Sequence, residues 1–330
     1  MQQYRQQFSS MGCPCEIRLY AAGETMARHA LTAAIEEIGR LNSKYSLYRD
    51  DSLLADINRS AGSGKRFVVD EETAALLDYA EAEYILSDGL FDITAGALWR
   101  TWDLRAKCLP ADELIAEALR LTGWSKLDWS RPSLLLPNAG MALDLGGIAK
   151  EYAADRAAVI LRRYGINHGL VDLGGDMSVV GPHLDGQGWS VGIKDPANPQ
   201  EAIALIKLKQ GGLASSGDYE RCIVIDGVKY SHIINPLTGW PVQGLASVSV
   251  QASSCLAAGA ISTVAMLKGK VAGHGFLRNT GLAWMSIDHD GLVTTSQPES
   301  TTYVTPGSDL PSPDGHLAGR RPDGLGCHPV

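Results

Sequence analysis

Residues 143–155 read LDLGGIAKEYAAD: an apolar run carrying one acid, Asp144, gives way through Gly146 and Gly147 to a helical stretch that holds Lys150. Two readings fit such a junction. In one, the glycines make a tight turn and the charges face water. In the other, the turn cradles phosphate: uncapped N–H groups at the positive end of a helix favour an anion, glycines admit it close to the main chain, and a lysine adds charge. Either way a strand-like run passes directly into a helix.

The helix opened there runs from about residue 148 to 164 and closes at Gly165. Upstream, residues 25–42 place Ala27, Leu31, Ile35, Ile38 and Leu41 near one helical stripe. Residues 70–89 do the same with Leu76, Leu77, Ala80 and Tyr84 before Gly89 stops them. Residues 110–123 form a further helix, with Pro110 at its first turn and Gly123 at its end. From Gly169 the texture changes to short β-like runs, LVDL, MSVVG, WSVGI, AIALIKL, CIVID, VKYSHII and ASVSVQA, separated by Gly, Pro, Asn or Asp. A helix is expected over residues 255–268, and a closing hairpin over 282–296. Residues 1–296 thus read as one α+β unit, with one or two lobes, built of mostly antiparallel sheet and packed helices. Residues 297–330, rich in Pro, Gly, Ser and Asp, bury too little apolar surface to offset chain entropy and are expected to be a disordered tail.

Composition narrows the class of function. With 45% hydrophobic and 20% charged residues, the 330-residue chain has ample core material, and a net charge of −8 argues against nucleic acid or an anionic membrane as the main partner. No apolar stretch is read as a membrane span, and residues 1–15 lack the apolar segment of a secretory signal, so a cytoplasmic location is expected. Cys13, Cys15, Cys108, Cys222, Cys255 and Cys327 show neither a CxxC pair nor zinc spacing. Cys13 and Cys15 would share one face of a strand, where they are either ordinary thiols or a redox or metal pair.

Further polar clusters stand out. Residues 171–177, VDLGGDM, partly echo the opening stretch, so two such turns could face one ligand. Neither is a Walker A loop, and no GxGxxG opens a helix. His232 follows a β-like run and precedes the turn residues Asn235, Pro236 and Gly239, as either a proton-transfer group or a structural pin. Asp92, in an apolar setting, is either a turn cap or a ligand contact.

Taken in order, these segments resemble the ApbE family of FAD:protein FMN transferases. The likeness runs through Met11–Gly12, YSLYRDDSLLADIN (45–58), GLFDIT (89–94), LDLGGIAKEYAAD (143–155), LVDLGGDM (170–177), WSVGIKDP (189–196), SSGDYERC (215–222), YSHIINPLTGWP (230–241) and the helix after Cys255. It implies a T-fold-like unit that splits FAD at its pyrophosphate with Mg2+, esterifies FMN to a Thr or Ser of an acceptor flavoprotein such as a redox-complex subunit, and releases AMP. It further implies that Met11, Tyr48, Leu90, Phe91, Asp92, Asp144, Lys150 and Ile233 line the FAD site. His232 would act as base beside the scissile phosphate, and the Gly147 carbonyl and Thr263 would face the metal. On that basis Asp144→Ala or Lys150→Ala should weaken FAD binding with little loss of folding.

The pattern fails in places. Gly259 stands where relatives carry a metal-ligand aspartate, and Glu151 follows the lysine where glycine is usual; Cys13 replaces Thr, and Asn235 replaces the commoner Asp. A non-catalytic FAD-binding module, or an FAD pyrophosphate hydrolase, is therefore the alternative. Gly259→Asp should then tighten magnesium dependence or raise activity.

Overall fold

Successive residues of a strand face opposite ways, and three pairs in the second half of the chain sort themselves accordingly. Leu170, Val179 and Leu213 enter one apolar cluster, whereas their neighbours Val171, Val180 and Ala214 enter another. The strands that carry them are therefore buried on both faces, and the molecule is layered around them.

The computed structural model describes residues 1–103 and 108–297 and, as backbone alone, 302–303. A hairpin of β1 (Gln2–Ser10) and β2 (Cys13–Ala21) leads to α1 (Glu24–Tyr45), α2 (Leu53–Arg59), β3 (Phe67–Val68), α3 (Glu71–Leu86), α4 (Gly96–Thr101) and α5 (Asp112–Leu121). Then come β4 (Asp128–Ser130), β5 (Ser133–Leu135), α6 (Ala149–Arg163), β6 (Gly169–Leu173), β7 (Asp176–Gly181), β8 (Trp189–Lys194), β9 (Ala202–Leu208), β10 (Gly212–Gly217), β11 (Cys222–Ile225), β12 (Val228–Ser231) and β13 (Leu245–Ala252). The chain finishes with α7 (Cys255–Thr280), β14 (Ala283–Asp288), β15 (Val293–Thr295) and β16 (Thr302–Tyr303).

An eight-stranded sheet of order β1-β2-β6-β7-β10-β13-β14-β15 forms the middle layer, and its paired strands all run antiparallel. Helices α1, α6 and α7 cover one face through Ile38, Leu41, Ala154, Leu161, Val264 and their neighbours. On the other face β8 and β9 bury Trp189, Val191, Ile193, Ala204 and Leu208. A third, smaller cluster joins α4 and α5 to Ile234 around Trp102, whose indole N–H donates to the Gly239 carbonyl at 2.8 Å. That cluster anchors the loop after β12.

The α+β expectation and most of its elements hold. Several features escaped it, among them the short elements α2, α4, β3, β4 and β5. Strands β1 and β10 (GLASSG) are polar or small-residue strands with little apolar alternation, and β2, in which Ile17, Leu19 and Ala21 alternate with Glu16, Arg18 and Tyr20, lies outside the elements read from the sequence. The helix expected over 255–268 is followed, after a break at Gly269 (φ +73°), by a second segment to Thr280. Taken whole, α7 is long and apolar enough by length and composition to cross a membrane, contrary to the sequence reading, yet it packs on β10 and β13. Finally, β16 adds an edge to β9 beyond the expected tail boundary; the rest of the tail lies outside the described residues.

Met11 and Gly12 make the two-residue turn of the first hairpin with φ of +51° and +75°. Both central residues of such a turn need positive φ, which glycine adopts without strain. Gly12→Ala is expected to lower stability by about 1–2 kcal/mol, the cost of a left-handed L residue, as a fall in denaturation midpoint.

Candidate active site

Asp144 leaves the core strand-like run with its N–H bonded to the Ile93 carbonyl at 2.6 Å, and its Oδ1 accepts the Gly146 N–H at 2.7 Å. The chain then enters α6 at Ala149 with no side chain capping the helix, as the phosphate-cradle reading requires. Burial raises the Asp144 carboxyl above the usual carboxylate range, and the Gly146 N–H and the Arg221 guanidinium oppose that rise. The echo at 172–175 differs in conformation. Gly174 and Gly175 take φ of +69° and +103° to turn β6 into β7, with Asp172 Oδ1 accepting the Gly175 N–H at 2.7 Å, whereas Gly146 and Gly147 avoid positive φ.

One ion pair joins the two turns. Lys150 Nζ lies 2.5 Å from Oδ2 of Asp176, which is buried, and Asp176 Oδ1 accepts the Ser215 N–H at 3.2 Å. Burial works against the Lys150 ammonium, but the Asp176 and Glu151 carboxylates outweigh it and hold the lysine above its usual range. Cys13 lies beside Gly174, and its Sγ is 3.8 Å from that of Cys15, so the two thiols do share a face.

His232 stands half-buried at the end of β12. Its N–H donates to the Arg221 carbonyl at 2.9 Å, its ring centroid is 6.0 Å from that of Trp99, and its Nδ1 is fully buried with no partner among the described residues. Burial first, and the Arg221 guanidinium second, push the imidazole down to about 4, so it is neutral near pH 7. The following loop is organised as its turn residues suggested: Asn235 Oδ1 accepts the Leu237 N–H at 2.9 Å, and Ile233 is buried.

Arg221 is the residue that the sequence reading passed over. A Cβ on Gly12 would lie 3.6 Å from its Nη2, and its charge acts on both Asp144 and His232. The guanidinium therefore stands at the Met11–Gly12 turn, the Arg221 carbonyl holds the His232 N–H, and the charge is felt at Asp144. Its signal was present in SSGDYERC, where one exposed arginine follows a run of small residues and acids.

Other expected residues fall in different places. Phe91 is buried, with its ring edge 3.5 Å from where a Gly147 Cβ would be, and Leu90 packs on the main core. Asp92 caps a turn: Oδ1 accepts the Thr94 N–H and hydroxyl at 2.8 and 2.6 Å, and Oδ2 accepts the Trp124 N–H at 3.0 Å. Tyr48 is 83% exposed on the loop between α1 and α2.

Behind the first turn, α6 and α7 meet. Asp155 accepts the Cys255 and Leu256 N–H groups at 3.0 Å each, plus the Ser178 hydroxyl at 2.8 Å, while the Ser254 hydroxyl oxygen accepts the Ala257 N–H at 3.1 Å. Asp155 thus sets α7 against α6. Asp155→Ala strips those donors of their partner and is expected to cost about 2–3 kcal/mol by loss of a cap and of buried hydrogen bonds, measured by chemical denaturation.

One turn into α7, oxygen donors collect. Ser216 Oγ lies 2.8 Å from Ser262 Oγ and 2.9 Å from Thr263 Oγ1, and Ser262 Oγ donates to the Gly259 carbonyl at 3.0 Å. Glu151 is buried beside Gly259, and its Oε2 has no hydrogen-bond partner among the described residues. Burial, then the Asp176 carboxylate, push the Glu151 carboxyl up to about 7. Among the described residues no trio of His, Cys, Asp and Glu is placed to hold a metal ion. Hydroxyls, carbonyls and a partnerless carboxylate oxygen do suit a hard cation that also keeps waters and phosphates as ligands.

Comparison with known proteins bears on the family and the fold. Residues 11–285 match the family model described as ApbE family. A FAD:protein FMN transferase of Vibrio cholerae is 32% identical over 72% of this chain and 74% of its own length, and one of Treponema pallidum is 32% identical over 78% and 77%. Among solved structures, the ApbE protein of Thermotoga maritima superposes with a TM-score of 0.83 at 32% identity, covering 90% of this chain and 97% of its own. The flavin transferase ApbE of Vibrio cholerae gives 0.80 at 28%, covering 89% and 96%. On sequence and fold together, this chain belongs to the ApbE family.

Proposed function

We propose that this chain is a transferase that moves the FMN half of FAD, with Mg2+, to a Thr or Ser hydroxyl of an acceptor flavoprotein such as a redox-complex subunit, releasing AMP. The observation that carries this reading is Arg221, which stands at the Met11–Gly12 turn, holds the His232 N–H through its own carbonyl, and acts by charge on Asp144 and on the neutral imidazole. The names borne by the relatives, FAD:protein FMN transferase, support it.

Phosphoryl-type transfer is mainly positioning and charge neutralisation. The uncapped start of α6 and Arg221 bear on the FAD pyrophosphate, with Lys150 held in place by Asp176. Met11, Leu90, Phe91 and Ile233 offer apolar contact to the flavin nucleotide, and Asp92 holds the loop that carries Leu90 and Phe91. The neutral His232 accepts the proton of the acceptor hydroxyl as its oxygen forms a bond to the phosphorus on the riboflavin side. The bond from that phosphorus to the bridging oxygen breaks, and AMP departs with the oxygen. The Gly147 carbonyl, and the Thr263 hydroxyl in the cluster of oxygens that suits a hard cation, would hold Mg2+. When bound, Mg2+ neutralises charge on the pyrophosphate.

The test is AMP release from FAD by purified protein with Mg2+, with and without a folded acceptor domain. The proposal expects AMP formation that depends on the acceptor. AMP formed equally without it points to hydrolysis, and tight FAD binding with no AMP points to a binding module; either result overturns the proposal.

A further inference from the structure

Glu151 and Gly259 are 108 positions apart, yet they are two sides of one contact. A Cβ built on Gly259 would lie 2.6 Å from Glu151 Cγ, 3.0 Å from Oε1 and 3.1 Å from Cδ. The Glu151 side chain therefore fills the space into which a residue at 259 would project. It is 7% exposed, and Oε2 has no partner among the described residues. A buried carboxylate oxygen left bare is costly unless something cationic completes it.

The neighbouring charges do not complete it. Lys150 gives its ammonium to Asp176 at 2.5 Å, and Asp155 is engaged by the first N–H groups of α7. Glu151 and Asp176 together thus face a single lysine, and that lysine is paired with Asp176. Around the same spot stand the Gly259 carbonyl and the hydroxyls of Ser216, Ser262 and Thr263, which are ligands of the hard-cation kind.

We propose that Glu151 supplies the carboxylate of this chain's divalent-cation site, reaching from α6 into the space that Gly259 leaves open on α7. The inference rests on the metal-dependent transferase reading above. Glycine at 259 is then a requirement of this site: any side chain there displaces the carboxylate. Gly259→Asp alone, which the sequence offered as a repair, forces two acids into one space and weakens cation binding.

Cation binding can be measured apart from catalysis, by titrating the purified protein with Mn2+ and following free Mn2+ by electron paramagnetic resonance, with and without FAD. Glu151→Gln, nearly identical in shape, should weaken Mn2+ at least about tenfold, within the range for losing a group that tunes a metal site. Glu151→Gly should do the same, and Glu151→Gly combined with Gly259→Asp, which moves the acid to the other helix, should recover most of the affinity. Circular dichroism checks that each variant folds. Unchanged Mn2+ affinity in folded Glu151→Gln overturns the assignment. Should Glu151→Gln fail to fold, the swapped pair decides: recovery over Glu151→Gly supports the assignment, and no recovery overturns it. A wild-type protein that binds Mn2+ through Glu151 but transfers no FMN would leave this site standing and remove the transferase reading. Transfer that persists unchanged in Glu151→Gln would do the reverse.

Discussion

His232→Ala is expected to lower kcat for FMN transfer by about 10²–10⁴-fold, the usual contribution of a positioned general base, while FAD affinity changes little. The imidazole sits where burial and Arg221 hold its pKa near 4. Above that value it is neutral and free to accept a proton, so its own titration should leave the rate flat between roughly pH 6 and 8, with loss only as acid approaches the pKa. Glutamine at 232 keeps bulk and hydrogen-bonding capacity without basicity and should be as inactive as alanine. Single-turnover kinetics, which separate chemistry from FAD binding, check this. A variant that keeps wild-type chemistry would make His232 a structural pin of the loop anchored by Trp102 and Gly239.

Lys150→Ala is expected to destabilise the protein by about 3–5 kcal/mol, the cost of leaving one partner of a buried ion pair uncompensated. Sequence alone made this a binding variant with little effect on folding. The structure revises that, because the Lys150 ammonium is already committed to Asp176, which is almost wholly enclosed. The same pair ties the first turn to the second, so FAD affinity should fall as well. Lys150→Met with Asp176→Asn removes both charges and should lose less than the two single changes summed, giving a coupling energy opposite in sign to the single losses. Denaturant midpoints check it; a Lys150→Ala protein as stable as wild type would mean that Asp176 finds another partner. Asp144→Ala, whose carboxyl accepts one local N–H, keeps its expectation of weaker FAD binding with folding intact.

Legibility in the sequence followed the range of the interactions. Helices α1, α3, α5 and α6 could be read because each is a local stripe of apolar side chains, and Gly89, Gly123 and Gly165, which adopt positive φ, marked ends. Strand β10 could not, since GLASSG has no alternation and is held by pairing with β13 and β7. The same distinction governs the site. Turn capping by Asp92 is local, and the sequence had kept it open as an alternative. Arg221 acquires its meaning only when the β11–β12 hairpin swings it towards Gly12 and Asp144. Gly259 and Glu151 looked like two separate defects along the chain, and their contact exists only because Asp155 sets α7 against α6.

The most direct measurement is the intact mass of an acceptor flavoprotein domain after incubation with this protein, FAD and Mg2+. An added FMN mass, located by fragmentation on a Thr or Ser and absent when Mg2+ is chelated or His232 is replaced, is the expected result. An acceptor of unchanged mass, while the protein binds FAD and the domain remains folded, would contradict flavin transfer as its reaction.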